Sequence, residues 1–114
     1  MINAIHLDNQ IELAKEHNLG GALRLAVLHR IKKAAQMHEQ YTDEQFKYWM
    51  SCLDAAAGMV DDKTVEAGIY RDLGWLYDSY GSNDRAVMYY RKSIEADQKS
   101  AFCCEMEKRI KELT

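Results

Sequence analysis

Along nearly the whole chain, apolar residues recur at intervals of three and four, the spacing that lines one face of an α-helix. The pattern divides into six predicted helices with no strand between them. The first runs from about Asn3 to His17 with Leu7, Ile11 and Ala14 on one face, and Asn18 and Gly20-Gly21 stand where a C-cap would end it. The second, about Ala22 to Glu39, opens with ALRLAVL, apolar on nearly all sides, and is expected to be the most buried element. Thr42 begins the third, with Gln45 placed to complete a capping box. Its stripe is Phe46, Trp49, Leu53, Ala56 and Met59. Asp61 and Asp62 are candidate caps for the fourth, which carries Tyr70, Leu73 and Tyr77, and Ser82 or Asn83 starts the fifth. Ser100 is placed to cap the sixth, with a stripe of Phe102 or Cys103, Met106, Ile110 and Leu113.

Composition agrees with a helical chain and narrows its setting. The 114 residues are long enough for one domain with a modest core, and there is no proline to break a helix from within. A formal net charge of −3, with both signs spread along the sequence, lacks the concentrated basic stripe of a nucleic-acid protein. No apolar run reaches the roughly 20 residues of a membrane span, and MINAIHLDNQIE lacks the basic start and apolar stretch of a signal peptide. Three cysteines, two of them adjacent, make a poor disulfide framework. A cytoplasmic location is expected.

Candidate chemistry is sparse. His6, His17, His29 and His38 form no metal-binding spacing, and Cys103-Cys104 lacks the C-x2-C separation of a zinc site. Cys52, beside Trp49 and Leu53, reads as a small core residue. Glu66, Asp72, Asp78 and Glu95 lie among Lys and Arg as solvated helix faces do. Neither a phosphate loop nor a nucleophile elbow is present, so no enzyme, cofactor or metal is expected. Two basic groups, Arg30-Lys32-Lys33 and Lys108-Arg109-Lys111, read as ordinary flanks of amphipathic helices.

The most informative stretch is residues 70–97, YRDLGWLYDSYGSNDRAVMYYRKSIEAD. Leu73, Gly74 and Tyr77 share one face of the fourth helix, and Ala86, Tyr90 and Ser93 one face of the fifth. Small residues let two backbones approach, while the rings of Tyr77 and Tyr90 fill the space on either side. This spacing resembles the tetratricopeptide repeat, W-x2-L-G-x2-Y followed by A-x3-F and then A and P. Tyr70 stands in place of Trp, Leu73, Gly74 and Tyr77 match, and Gly81 falls at the turn. Ala86 matches, Tyr90 replaces Phe and Ser93 replaces the last small residue, whereas Gln98 stands where Pro stops the helix.

The resemblance covers one repeat, about residues 67–98. It makes the fourth helix the first of a pair and the fifth its partner. Counting back assigns a degenerate preceding pair to about 22–60, where Ala34, Ala35, His38 and Ala56 or Ala57 fit loosely. The first helix is then an addition, and the sixth, about 100–113, a cap. A competing register places Leu13, Ala14, His17, Gly21 and Ala26 on the pattern and pairs the first two helices instead.

What the resemblance implies is an all-α domain of about six helices. Its antiparallel hairpins would stack as a short right-handed solenoid and bind a protein or peptide partner on the concave face. Carried over by position, the ligand-facing residues are Gly68, Arg71, Trp75, Asp78 and Ser79. Arg71 fits the basic residue of the members that hold C-terminal carboxylates, but Trp75 sits where they have an asparagine, so that activity is not carried over. The expected function is a small cytoplasmic adaptor or chaperone that sequesters an amphipathic or extended segment of another protein. The alternative is a structural or regulatory helical protein that self-associates into a homo-oligomer through its first or sixth helix. A nucleic-acid regulator ranks below both, for want of a contiguous basic face.

Overall fold

The computed structural model describes residues 4–114. Among them it contains six helices and no strand: α1 Ala4–Glu16, α2 Gly20–Gln36, α3 Asp43–Met59, α4 Lys63–Tyr80, α5 Asn83–Ala96 and α6 Cys103–Leu113. The fold is all-α, as the periodicity predicts. The expected start of the first helix at Asn3 lies outside the described residues. The chain divides into two compact units, Met1–Met59 and Val60–Thr114.

In the first unit α2 packs on both α1 and α3. Leu7, Ile11 and Ala14 of α1 are buried, the face that the pattern predicts. Of the residues expected to cap α1, one does so. Asn18, not a glycine, takes the left-handed conformation (φ 53°). The Leu19 N–H then donates to the Ala14 carbonyl at 2.9 Å and the Asn18 N–H to that of Lys15 at 3.2 Å, which closes a Schellman cap. Gly20-Gly21 therefore opens α2. That helix ends the same way, with His38 at φ 50° and the Glu39 N–H donating to the Ala34 carbonyl at 2.9 Å.

Nor is α2 the most buried element. Leu25 is 57% exposed, because α1 and α3 between them cover only part of its circumference. The deepest packing belongs to α3, where Phe46, Trp49, Met50, Cys52, Leu53, Ala56 and Ala57 are all buried. Its capping box forms as the sequence predicts: the Gln45 N–H donates to Thr42 Oγ1 at 3.1 Å and the Thr42 N–H to Gln45 Oε1 at 3.4 Å.

Arg30 corrects the reading of its basic group as a solvated flank. It is 3% exposed. Its Nε donates to Asp8 Oδ1 at 2.9 Å, and Nη1 and Nη2 donate to the two Glu39 oxygens at 3.1 and 2.9 Å. The guanidinium carbon sits 5.2 Å from the Trp49 ring centre. A buried cation is tolerated only when its charge and its donors are satisfied in this way. The same contact holds the Glu39 carboxyl below the usual carboxylate range.

In the second unit α4 packs on α5, and α5 on α6. The Asp62 side chain caps α4, accepting from the Thr64 and Val65 N–H groups at 2.8 and 3.2 Å. The small residues Gly74, Ala86 and Ser93 of the α4–α5 hairpin are buried. Ala86 is fully buried, and the buried Ser93 hydroxyl donates to the Ala67 carbonyl at 2.7 Å. The Tyr90 ring lies on Gly74 so tightly that a Cβ there would be 2.5 and 2.7 Å from two ring carbons. On the other flank Tyr77 stacks on Tyr89 at 5.6 Å with planes 2° apart, and Tyr70 stacks on Tyr89 at 6.1 Å.

The turn between these helices is a third Schellman cap, now with Gly81 at φ 96° and the Ser82 N–H donating to the Tyr77 carbonyl at 2.9 Å. At the far end α5 stops without proline. Asp97 turns extended (φ −145°) and its carboxylate accepts the Lys99 N–H at 3.2 Å. In α6 Cys103 and Met106 are buried and Cys104 exposed, as is Phe102 at its N-cap, and all three cysteines of the chain are free thiols.

Candidate functional site: the groove along α4 and α6

Spacing on α4 builds one wall of the site. Arg71, Trp75 and Ser79 are four residues apart and Asp78 is three from Trp75, so all four lie on one helical stripe. The opposite stripe, Ile69, Leu73, Leu76 and Tyr77, is buried. The four residues expected to contact a partner therefore line a single groove of about 750 Å³. The other wall comes from Phe102 at the N-cap of α6 and from Glu105, Met106 and Arg109 of that helix, and Tyr90 of α5 also contributes. The volume is within the range of sites that bind ligands. Gly68, the fifth residue implied by the resemblance, is not among the lining residues.

Asp78 also joins the two walls. Arg109 clasps it with a two-pronged ion pair, Nε to Oδ2 at 2.7 Å and Nη2 to Oδ1 at 2.8 Å, and the Tyr90 hydroxyl donates to Oδ2 at 3.1 Å. Charge-assisted forks of this kind are among the strongest polar contacts available to side chains. Arg109, helped by Tyr90, holds the Asp78 carboxyl below its ordinary range despite its burial. Burial first, and then the Asp78 carboxylate, push the Tyr90 hydroxyl up to about 12. Asp78 thus ties the two walls together while lining the groove. Arg109 also reaches Glu112 through Nη1 at 2.9 Å.

The clamp makes stability depend on acid. A carboxyl whose folded-state pKa is depressed adds stability above its unfolded value, near 3.9, and loses it as pH falls through the lower folded value. Asp78→Asn should therefore unfold more readily at neutral pH. It should also lose less stability than the parent chain between about pH 4 and pH 2. Urea denaturation at stepped pH measures both, and parallel pH profiles for the two chains would show that Asp78 carries no such linkage.

Trp75 and Phe102 supply exposed aromatic surface, at 63% and 46% exposure. The Arg71 guanidinium lies over Phe102, its carbon 3.7 Å from the ring centre. The sequence pattern did not single out Phe102 or Arg109 as groove residues. Arg109 lies 31 residues from Asp78, and nothing local marks a pair that the return of the chain brings together.

No family model, curated protein or solved structure matches the chain. Among the described residues no group of histidine, cysteine and carboxylate side chains is placed to hold a metal, and no helix is long and apolar enough to cross a membrane.

Proposed function

We propose that this protein is a protein-interaction module, a small adaptor or chaperone that holds an amphipathic or extended segment of a partner in the groove along α4 and α6. One observation carries the reading: residues that the repeat register marks as ligand-facing line one groove around a solvent-exposed tryptophan. Exposed tryptophan beside arginine is the composition that concentrates binding energy at interfaces. In this reading α4 and α5 are a tetratricopeptide-like pair, α6 follows as the next helix, and the hairpins belong to a short right-handed solenoid. The proposed role is binding and not catalysis.

A second reading, self-association, draws on the α1–α2 face. Leu13, Leu19 and Leu25 there are each more than half exposed around a shallow apolar depression. Photo-crosslinking separates the two. A benzoylphenylalanine placed at Ser79 should form adducts with another protein under native conditions, whereas one at Leu25 should not. Adducts of twice the chain's own mass from Leu25, with none from Ser79, would favour the homo-oligomer.

A further inference from the structure

The groove holds two arginines in opposite electrostatic states. Arg109 is neutralised by Asp78 and Glu112. Arg71 is half-buried and lies over Phe102, and among the described residues that stack is its sole polar or ring contact. A guanidinium laid on an aromatic face keeps its N–H donors in its own plane, directed outward at its edge, and their fork matches a carboxylate. It is half out of water, with no counter-ion among the described residues. Trp75 stands one helical turn further along the same wall.

We infer that the segment this groove accepts carries an aspartate or glutamate side chain within about a helical turn of an aromatic or long aliphatic one. The carboxylate meets Arg71 and the apolar group covers Trp75. The inference rests on the groove reading above and adds the chemistry of the occupant. Asp72 and Glu105 also line the groove and disfavour an acid-rich run, so the match is a single carboxylate set among apolar residues. A side-chain carboxylate fits better than a chain end. The wall continues from Arg71 past Trp75 to Ser79, about 12 Å of helix, which a segment ending at Arg71 would leave uncovered.

The test is a selection of peptides of about a dozen residues, displayed on phage with their C-termini fused to the coat. The full chain is the target, and Trp75→Ala is used for counter-selection. Selected sequences are then synthesised with amidated C-termini, with and without Asp→Asn or Glu→Gln changes, and titrated by fluorescence anisotropy. The expected winners carry one acid near an apolar anchor. Neutralising that acid should weaken binding to the parent chain by about tenfold or more, and to Arg71→Ala by less than about twofold. Arg71→Lys should fall between, since it keeps the charge and loses the planar fork. Winners that are neutral or basic, that need Trp75 and ignore Arg71, would overturn the carboxylate and leave the groove standing. Binding that requires a free C-terminal carboxylate would overturn the side-chain assignment. A selection without any Trp75-dependent peptide would remove the groove reading and this inference together.

Discussion

Trp75→Ala is expected to weaken capture of the natural partner by roughly thirtyfold or more while the protein stays folded. Truncating an aromatic anchor at an interface typically costs about 2 kcal/mol or more, which sets that factor. The indole is 63% exposed, so the melting temperature should move by no more than a few degrees. The chain offers its own check on occupancy, for it has two tryptophans and the other, Trp49, is 2% exposed. Iodide should quench one emitting population in the free protein and largely spare the other. Bound partner should shield the first, and Trp75→Ala should lack it from the start. If the variant unfolds, the indole supports the core despite its exposure. If it stays folded and binds as before, the groove is not the binding surface, and self-association becomes the better account.

Gly74→Leu is expected to lower stability by about 3 kcal/mol, at the upper end of ordinary overpacking. The warrant is the Tyr90 ring, which leaves no room even for a Cβ. That ring is not free to swing aside, because its hydroxyl is bound to Asp78 and Asp78 to Arg109. A clash at one glycine therefore strains the hairpin and the clamp together, and the melting temperature should fall by on the order of 10 °C. Gly58 is the control: it lies in α3, and a Cβ added there would meet nothing within 4 Å, so Gly58→Ala should be neutral or stabilise by about 0.5–1 kcal/mol. Equal effects from the two substitutions would mean that the close approach at Gly74 does not exist in solution.

The features that the sequence made legible are those written in local spacing. Helix positions, the Thr42–Gln45 box, the Asp62 cap and the Leu73–Gly74–Tyr77 stripe each depend on residues a few positions apart. The stripe Arg71–Trp75–Ser79 follows from the same arithmetic. What escaped was set by distant partners. Arg30 looked like one member of a basic flank, and only the approach of Asp8 and Glu39 turns it into a buried charge. A trace of it was present: the register through Leu13, Ala14, His17, Gly21 and Ala26 puts Arg30 four residues beyond the small position, where Tyr90 stands relative to Ala86. A long side chain filling a large-residue site is compatible with burial. At the ends of α1 and α2 the left-handed residues are Asn18 and His38, and α2 begins at Gly20, two residues before the expected Ala22, because Gly20-Gly21 belongs to that helix and not to the cap.

The clasp of Arg109 on Asp78 bears on the cost of recognition. It ties α6 to α4 before anything is bound, so the two walls have little rearranging left to do when a segment arrives. The ordering entropy of association then falls mainly on the incoming chain and on the few exposed rotamers at Trp75 and Phe102. In the proposed role, such a groove discriminates by what the visitor brings already shaped. A segment with helical or extended preference of its own gains over a floppy one of the same composition.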